Sequence, residues 1–410
     1  MEPMTLAVVS DLHIGNKARA KDLCPYEESE AIEKTYRETF LEFINQQDIR
    51  ADYLLIPGDV TDGAQPDEVK LASEVISEIA KALNVPLERI VFVPGNHDVD
   101  WKALKLKDAT GFRHSQRYAP LRDDQWIFEQ IMSRGQNHIC EKPYFSLWKD
   151  GNLLVEGYNS SWDDDPKLAL HRGSVNQKHL LILEKELSTI SSSSSQVRIL
   201  LVHHHPVQYS NPIPNDPDFS IMVNAENLLG LLQKYHFDLL IHGHKHNPRF
   251  KIYMVDSGFP IAILCSGSFS AVLDPRWSGL VNNQFHMVRI FGRDEESQCV
   301  YGEVESWTYV CGHGWRPSES HNGIEHKYPF GTYVLPENLK STLHLFLKKE
   351  FENGQNVEWS AIVSRFPHFQ HLPHNLLMGT LDNLASEMGF IRHGDSPGDI
   401  ILLKLEDDHE

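Results

Sequence analysis

Five short segments of the chain carry aspartate, asparagine or histidine directly after a run of aliphatic residues. Carboxylate and amide oxygens mixed with imidazole nitrogens suit divalent ions such as manganese, iron and zinc, rather than calcium or a thiolate-only site. One such coincidence has little meaning, whereas five in succession are hard to explain by packing. The segments, in chain order, are SDLH (10–13), PGD (57–59), PGNHD (94–98), HHHP (203–206) and HGHKH (242–246).

The spacing and number of the candidate ligands favour two metal ions over one. Asp11 and His13 are two residues apart, as are His244 and His246, so on an extended chain each pair projects to one side. A set of this size exceeds one tetrahedral zinc ion, but it suits two ions about 3.5–4 Å apart that share a bridging carboxylate. The candidate ligands are Asp11, His13, Asp59, Asn96, one histidine of 203–205, His244 and His246.

The elements that must position these residues are the aliphatic runs that precede them. Amphipathic helical patterns at 29–47, 67–83 and 176–190 are interspersed with these runs, which indicates an α/β fold with parallel strands. Ligands of such sheets gather at the carboxyl ends of the strands, so the five segments are predicted to converge. The predicted buried strands are LAVVS (6–10), YLLI (53–56), IVFV (90–93), ILLV (199–202) and DLLI (238–241).

Composition limits the class of protein. The 410 residues exceed one ordinary core, and the net charge of −19 disfavours bulk electrostatic binding of nucleic acid. Five scattered cysteines without a CxxC pair argue against a disulfide framework and for a reducing compartment. The chain has no basic, apolar leader and no apolar run of about 18 residues, which predicts a cytoplasmic protein without a membrane partner.

The ordered motifs resemble those of the calcineurin-like metallophosphoesterases. The matching motifs are DLH (11–13), GD (58–59), GNHD (95–98), HHP (204–206) and GHKH (243–246). They lie within residues 6–246, and the similarity continues loosely to residue 270. The resemblance implies a four-layer β-sandwich flanked by helices, in place of the open sheet that the pattern alone favours.

The resemblance also implies a role for each matching residue. The ligand of the triplet is expected two residues before Pro206, which is His204; His203 remains the alternative, and His205 would line the substrate mouth. The implied ligands are Asp11, His13 and His246 for the first metal, Asn96, His204 and His244 for the second, and Asp59 as the bridge.

The resemblance to this family also implies a catalytic mechanism. A hydroxide that bridges the two metals would attack phosphorus, and His97 would protonate the leaving group or stabilise the phosphoryl oxygens. Asp98 is expected to orient His97, as carboxylates orient catalytic histidines. Asp62 and Asp100, in contrast, are interpreted as solvated loop carboxylates.

The predicted domains are a phosphoesterase domain at 1–330, with a cap-like insertion at 99–150, and a module at 335–410. In the insertion, Arg113, His114 and Arg117 either contact phosphate or form a solvated face. The module reads as three helices and a hairpin, which is a small winged-helix-like arrangement. Residues 341–410 contain five Lys or Arg and eleven Asp or Glu, a balance of 5 − 11 = −6, which favours a protein partner over DNA.

The sequence therefore predicts a metal-dependent phosphodiesterase that uses two divalent ions, manganese, iron or zinc. The HHHP and GHKH segments resemble the cyclic-nucleotide branch of the superfamily, so the expected substrate is a phosphodiester of a nucleotide. SDLHIG resembles the opening of double-strand-break repair nucleases, so a nuclease acting on nucleic acid is the alternative, together with a phosphomonoesterase. A non-enzymatic scaffold is disfavoured because every ligand type is present.

Overall fold

A computed structural model gives the structure of the chain. The described residues form two compact units: an N-terminal unit within 2–289 and 305–326, and a C-terminal unit within 290–304 and 327–410. Residues described are 3–27, 34–101, 117–122, 138–142, 144–164, 171–190, 193, 195–213, 218, 220–255, 258–294, 297–319, 321, 323–331, 336–354, 356–394 and 399–405.

The described strands and helices are as follows. The strands are β1 (Met4–Val8), β2 (Tyr53–Ile56), β3 (Ile90–Phe92), β4 (His138–Lys142), β5 (Phe145–Asp150), β6 (Leu153–Tyr158), β7 (Val197–Val202), β8 (Leu239–His242), β9 (Arg249–Tyr253), β10 (Ile261–Cys265), β11 (Gln284–Arg293), β12 (Val300–Val310), β13 (Gly314–Pro317), β14 (Lys327–Phe330), β15 (Asn356–Glu358), β16 (Phe390–His393) and β17 (Ile401–Lys404). The helices are α1 (Tyr36–Gln46), α2 (Pro66–Ala82), α3 (Gln177–Thr189), α4 (Ala225–Lys234), α5 (Pro336–Asn353), α6 (Trp359–Arg365) and α7 (His374–Met388).

Most of the described strands belong to two large sheets. The first has the order β13-β12-β11-β1-β2-β3, with β14 also paired to β12, and the second has the order β4-β5-β6-β7-β8-β10-β9. The pairs β1–β2, β2–β3, β6–β7, β7–β8 and β8–β10 are parallel. The predicted α/β fold with parallel pairing is therefore confirmed, and each of the five predicted strands is present.

The helices begin where the sequence supplies their caps. The Thr35 hydroxyl accepts from the Glu38 amide at the start of α1, and the Glu38 carboxylate accepts from the Thr35 amide. Pro66 occupies the first turn of α2, where its missing N–H has no helical partner to lose. Helix α2 matches its predicted range to within one residue at each end. Helix α1 ends within one residue of the prediction but begins only at Tyr36, because Thr35 caps it; residues 29–33 of the predicted range lie outside the described residues.

Each large sheet is covered on both faces. One face of the first sheet packs on α1 and α2 in a core that includes Ala7, Ile56 and Phe40. Leu6 and Leu55 point to the opposite face and are also fully buried. There the second sheet approaches so closely that a Cβ on Gly157 would lie 2.7 Å from Val93 Cγ1. Helices α3 and α4 cover the other face of the second sheet, which completes the expected four layers.

The C-terminal unit has its own apolar core. Helices α5, α6 and α7 pack through Leu343, Ile362 and Leu381, with Phe390 and Leu402 from the small sheet β15-β17-β16. This arrangement matches the predicted winged-helix-like module. Strand β15 had no sequence signal of its own, because three residues are too few to show alternation. The predicted domain boundaries, 1–330 and 335–410, remain predictions.

Much of the predicted cap-like insertion falls outside the described residues, including Arg113 and His114. Arg117 is described and buried, and its guanidinium donates to the carbonyls of Ser161 and Asp164. It therefore supports a loop rather than facing solvent. Within the described part of the chain, the helices are all too short or too polar to span a bilayer.

Candidate metal centre

The ends of β1, β2, β3, β7 and β8 bring the five polar segments together, as their position after parallel strands predicted. Five of the candidate ligands adopt left-handed backbone conformations. Their φ values are 52° at Asp11, 49° at His13, 53° at Asp59, 68° at His244 and 51° at His246. Each such residue costs on the order of 1–3 kcal/mol, so the surrounding fold imposes this conformation.

The first group of donor atoms comes from Asp11, His13 and His246. His246 Nε2 lies 3.1 Å from Asp11 Oδ1 and 3.2 Å from His13 Nε2. His13 Nε2 is 3.5 Å from Asp59 Oδ2. Three donor atoms of different residues thus lie within the reach of one cation, with the Asp59 carboxylate next to them.

The second group comes from Asn96, His203 and His244. The amide oxygen of Asn96 lies 3.2 Å from His203 Nε2 and 3.2 Å from His244 Nδ1. His203 Nε2 is also 3.1 Å from Asp59 Oδ2, the same oxygen that faces His13. Asp59 therefore lies between the two groups, at the position expected of a bridging carboxylate.

Within the histidine triplet, both His203 and the predicted His204 lie with His244 in a group of donor atoms that could hold one cation, and His203 is the one that also faces Asp59 and Asn96. His203 Nδ1 donates to the Pro57 carbonyl at 2.8 Å, which leaves Nε2 directed at Asp59. His204 is engaged elsewhere: its Nδ1 lies 2.8 Å from Ser160 Oγ and its Nε2 lies 3.1 Å from the His171 carbonyl. Strand β7 ends at Val202, and His203 is the first residue beyond the strand. The choice of His204 as the ligand stays a prediction.

The donor set fits divalent cations. Burial lowers the pKa of His13 to about 4 and holds that of His244 well below its usual range, so both imidazoles are neutral. Burial would also lower the pKa of His203, but the charge of Asp59 and the bond to it outweigh burial and raise that pKa to about 9, so His203 would release a proton on binding an ion. Neutral imidazole is the form that binds metals. His13 Nδ1 is buried without a hydrogen-bond partner in the described part of the chain, while its Nε2 faces the other donors. The chemistry is that of mixed oxygen and nitrogen sites for manganese, iron or zinc.

The two carboxylates of the centre are held ionised by their neighbours. Burial alone would raise the pKa of Asp59, but the positive potential of His203 and His97 outweighs it and lowers the pKa well below its usual range. Burial also opposes ionisation of Asp11, and His246 and His13 outweigh it there. Both carboxylates are therefore available as anionic ligands.

Glycines make room for these carboxylates. A Cβ at Gly95 would lie 2.1 Å from Asp59 Oδ1, and a Cβ at Gly243 would lie 2.3 Å from Asp11 Oδ2. Any other residue at either position would displace a candidate ligand. The absence of a side chain at these two glycines therefore lets the loops approach the carboxylates.

His97 lies at the edge of the centre, with its ring centroid 4.6 Å from that of His13. Its Nδ1 donates to the Asp62 carbonyl at 2.8 Å and lies 3.4 Å from Asp62 Oδ1. Its Nε2 is 3.4 Å from Lys17 Nζ. Burial would lower the pKa of His97, but the charge of Asp59 and the bond to Asp62 outweigh it and raise the pKa.

Asp98 does not have the surroundings expected of a residue that orients His97. One carboxylate oxygen accepts from the amide and the hydroxyl of Thr61, each at 2.9 Å, and the other accepts from the Gly95 amide at 2.9 Å. Asp98 therefore ties together the loops after β2 and β3. Asp62, interpreted from sequence as a solvated carboxylate, takes the place beside His97; its position three residues after Asp59 in the same loop was the available signal.

The comparisons with known proteins agree with this geometry. Residues 4–248 match the family described as calcineurin-like phosphoesterase. A probable glycerophosphodiester phosphodiesterase GpdQ of Arcobacter nitrofigilis is 28% identical over 244 residues, covering 59% of this chain and 72% of that protein.

Solved structures show weaker similarity. GAP50, the anchor in the inner membrane complex of Plasmodium, has a TM-score of 0.39 and 17% identity, covering 79% of this chain and 92% of that one. NAD nucleotidase of Haemophilus influenzae has a TM-score of 0.35 and 11% identity, covering 77% and 60%.

The family match spans more than half of the chain and contains every candidate ligand. Members of this family use divalent metal ions, and the described structure places clusters of aspartate and histidine where such ions would bind. The chain therefore belongs to the calcineurin-like phosphoesterase family, and it is a hydrolase that acts on phosphoesters.

Proposed function

We propose that this protein is a dinuclear metal-dependent phosphodiesterase whose substrates are phosphodiesters of nucleotides. The observation that carries the proposal is the position of Asp59. One of its oxygens faces His13 at 3.5 Å in the first donor group and His203 at 3.1 Å in the second. A single carboxylate shared by two groups of donors is the arrangement that two adjacent cations require.

The proposed ligands differ from the sequence prediction at one position. His203 replaces His204, because His203 shares Asn96 Oδ1 with His244. When bound, the two ions would lower the pKa of a water molecule toward neutrality and offset charge on the phosphoryl group. The proposed ligands are Asp11, His13 and His246 for one ion, Asn96, His203 and His244 for the other, and Asp59 for both.

The residues around the centre supply the proton and part of the charge balance. His97 is held through Nδ1 by Asp62, so that its Nε2 is directed away from this anchor toward Lys17. From that position Nε2 gives a proton to the leaving oxygen. The Lys17 ammonium adds positive charge beside the same nitrogen, where the phosphoryl oxygens become more negative.

The substrate class rests on charge and on similarity. A net charge of −19 opposes long-range attraction of a nucleic acid, which supports a small diester over the nuclease alternative. The similarity to a probable glycerophosphodiester phosphodiesterase supports diester cleavage and adds glycerophosphodiesters as a second candidate class. The cytoplasmic location and a protein partner for the C-terminal module stay predictions from composition.

A substrate panel tests the proposal. Protein stripped of metal and reconstituted with manganese, iron(II) or zinc is assayed on bis-p-nitrophenyl phosphate beside p-nitrophenyl phosphate. We expect cleavage of the diester, followed by turnover of a cyclic nucleotide in preference to glycerophosphodiesters and to single- or double-stranded DNA. Cleavage of the monoester alone would replace the phosphodiesterase with a phosphomonoesterase.

A further inference from the structure

Asp218 joins two of the loops that carry candidate ligands. Its Oδ2 atom lies 3.0 Å from His205 Nε2 and 3.1 Å from Lys245 Nζ. His205 follows His203 by two residues in the loop after β7, and Lys245 directly follows His244 in the loop after β8. One carboxylate from the connection between β7 and α4 therefore holds both loops.

The Asp218 cluster is buried and its orientation is fixed. The side chains of His205, Lys245 and Asp218 are 0%, 9% and 3% exposed. The second carboxylate oxygen of Asp218 accepts from the amide and the hydroxyl of Ser220, at 3.0 and 2.8 Å. Because both oxygens have partners, the carboxylate has no freedom to rotate away from the two loops.

The Asp218 cluster lies next to two proposed ligands, His203 and His244. The ring of His205 stacks on that of His244, with centroids 5.8 Å apart and planes 19° apart. On the backbone, the Gly243 amide donates to the His203 carbonyl at 3.2 Å. Asp218 thus adds a side-chain link between loops that share one long backbone bond.

We infer that Asp218 is a positioning residue that holds His203 and His244 at the spacing required by the second metal ion. This inference rests on the proposed function. Residues that orient metal ligands typically change metal affinity by about 10–100-fold when replaced. Since Asp218 acts through His205 and Lys245 rather than on a ligand directly, we expect an effect near the lower limit, about tenfold.

The test is manganese binding to the full chain, measured by competition with a chelator. We expect Asp218→Ala to weaken the binding of one of two manganese ions about tenfold. Turnover of bis-p-nitrophenyl phosphate should return to the wild-type rate at saturating manganese, with an unchanged KM, because Asp218 contacts His205, Lys245 and Ser220 rather than a proposed ligand. Asp218→Glu, which keeps the charge, restores part of the affinity.

Two further variants separate positioning from a loss of folding. Asp218→Ala leaves Lys245 buried without its carboxylate, so the double variant with Lys245→Met removes both charges; it should show the same loss of manganese affinity. Asp382→Asn, which breaks an ion pair with Arg392 in the C-terminal unit, should bind manganese like wild type.

The inference would be overturned if Asp218→Ala and the double variant with Lys245→Met both bound manganese as tightly as wild type. A loss of turnover that persists at saturating manganese would also overturn it. A wild-type chain that binds manganese at a single site, or cleaves no diester, would instead overturn the proposed function itself. The two failures are therefore distinguishable.

Discussion

Asp59 and Glu156 lie in the same unit and are equally buried, with 1% and 0% of their surface exposed, but their surroundings are opposite. Asp59 lies at the strand ends among His203, His97 and His13, which keep its carboxylate ionised. Glu156 has no hydrogen-bond partner for either carboxyl oxygen among the described residues, and burial raises its pKa to about 8.

The strand register explains the surroundings of Glu156. It lies opposite Leu147 of β5 and Leu200 of β7, so these side chains share a face of the second sheet. Both leucines belong to the core that this face forms with α3 and α4. Burial alone therefore does not create a site. A buried carboxylate binds cations where other donors converge on it, and elsewhere it is a cost to stability.

The largest effect is expected from Asp59→Asn. Asparagine tolerates the left-handed φ of 53° at this position, so the fold should be retained. Loss of the shared charge should reduce diester turnover by at least about a thousandfold, more than the loss of a single neutral donor. Initial rates with excess manganese and a circular dichroism spectrum check both parts; near-normal turnover would refute the shared-carboxylate site.

The next effect separates neighbouring histidines. His203→Ala removes a proposed ligand and should lower turnover at least about a hundredfold, whereas His204→Ala should lower it about tenfold. The reason is that both ring nitrogens of His204 have other partners, Ser160 Oγ and the His171 carbonyl, although its ring lies against that of His244 with centroids 4.4 Å apart. Steady-state rates of the two variants decide the assignment, and the reverse order would restore His204 as the ligand.

A smaller effect is expected from Asp62→Asn. The variant weakens the anchor of His97 Nδ1 and should lower kcat about tenfold, with little change in KM, because no ligand is lost. Asp100→Asn is the matched control, since Asp100 is a loop carboxylate outside the donor groups; it should behave like wild type. Equal kcat values for the two variants would show that the Asp62 side chain does not position His97.

The smallest effect on activity, with a clear effect on stability, is expected at Glu156. Its pKa rises from 4.5 to about 8 on folding, so the folded chain binds more protons than the unfolded chain between these values. The free energy of unfolding therefore falls as pH rises from 4.5 to about 8, by about 1.4 kcal/mol per unit of pKa shift.

Glu156→Gln should flatten this pH dependence and raise the melting temperature at pH 8, with turnover unchanged. Glu74→Gln, on the exposed face of α2, is the control and should leave the pH dependence as in wild type. Melting curves from pH 5 to 8 measure the difference. A Glu156→Gln protein with the wild-type slope would show that the carboxyl group finds a partner.

The contrast between Asp59 and Glu156 also marks what the sequence could predict. The strand ends were visible because aliphatic runs of four or five residues are followed within three residues by Asp, Asn or His. The order of the motifs then indicated that these residues converge. The stacking of two sheets was accessible only through family resemblance, because a strand buried on both faces reads the same in an open sheet and in a sandwich.

The sequence did not predict the exact residue at which a strand ends or the direction in which a loop turns. His203 and His204 differ by one residue, and which of them faces the centre depends on where β7 ends. Asp62 meets His97 only because the loop after β2 turns back toward the loop after β3. In sequence, Glu156 looks like an ordinary strand residue. Its apolar surroundings could not be predicted, because they come from strands and helices that are distant along the chain.

A metal titration would show whether two cations share Asp59. Stripped protein is titrated with manganese while bound metal and hydrolysis of bis-p-nitrophenyl phosphate are followed together. We predict that turnover rises to its full value only as the second equivalent of manganese binds, and that Asp59→Asn loses this dependence. Full turnover with one equivalent, or no turnover with two equivalents bound, would contradict the shared site.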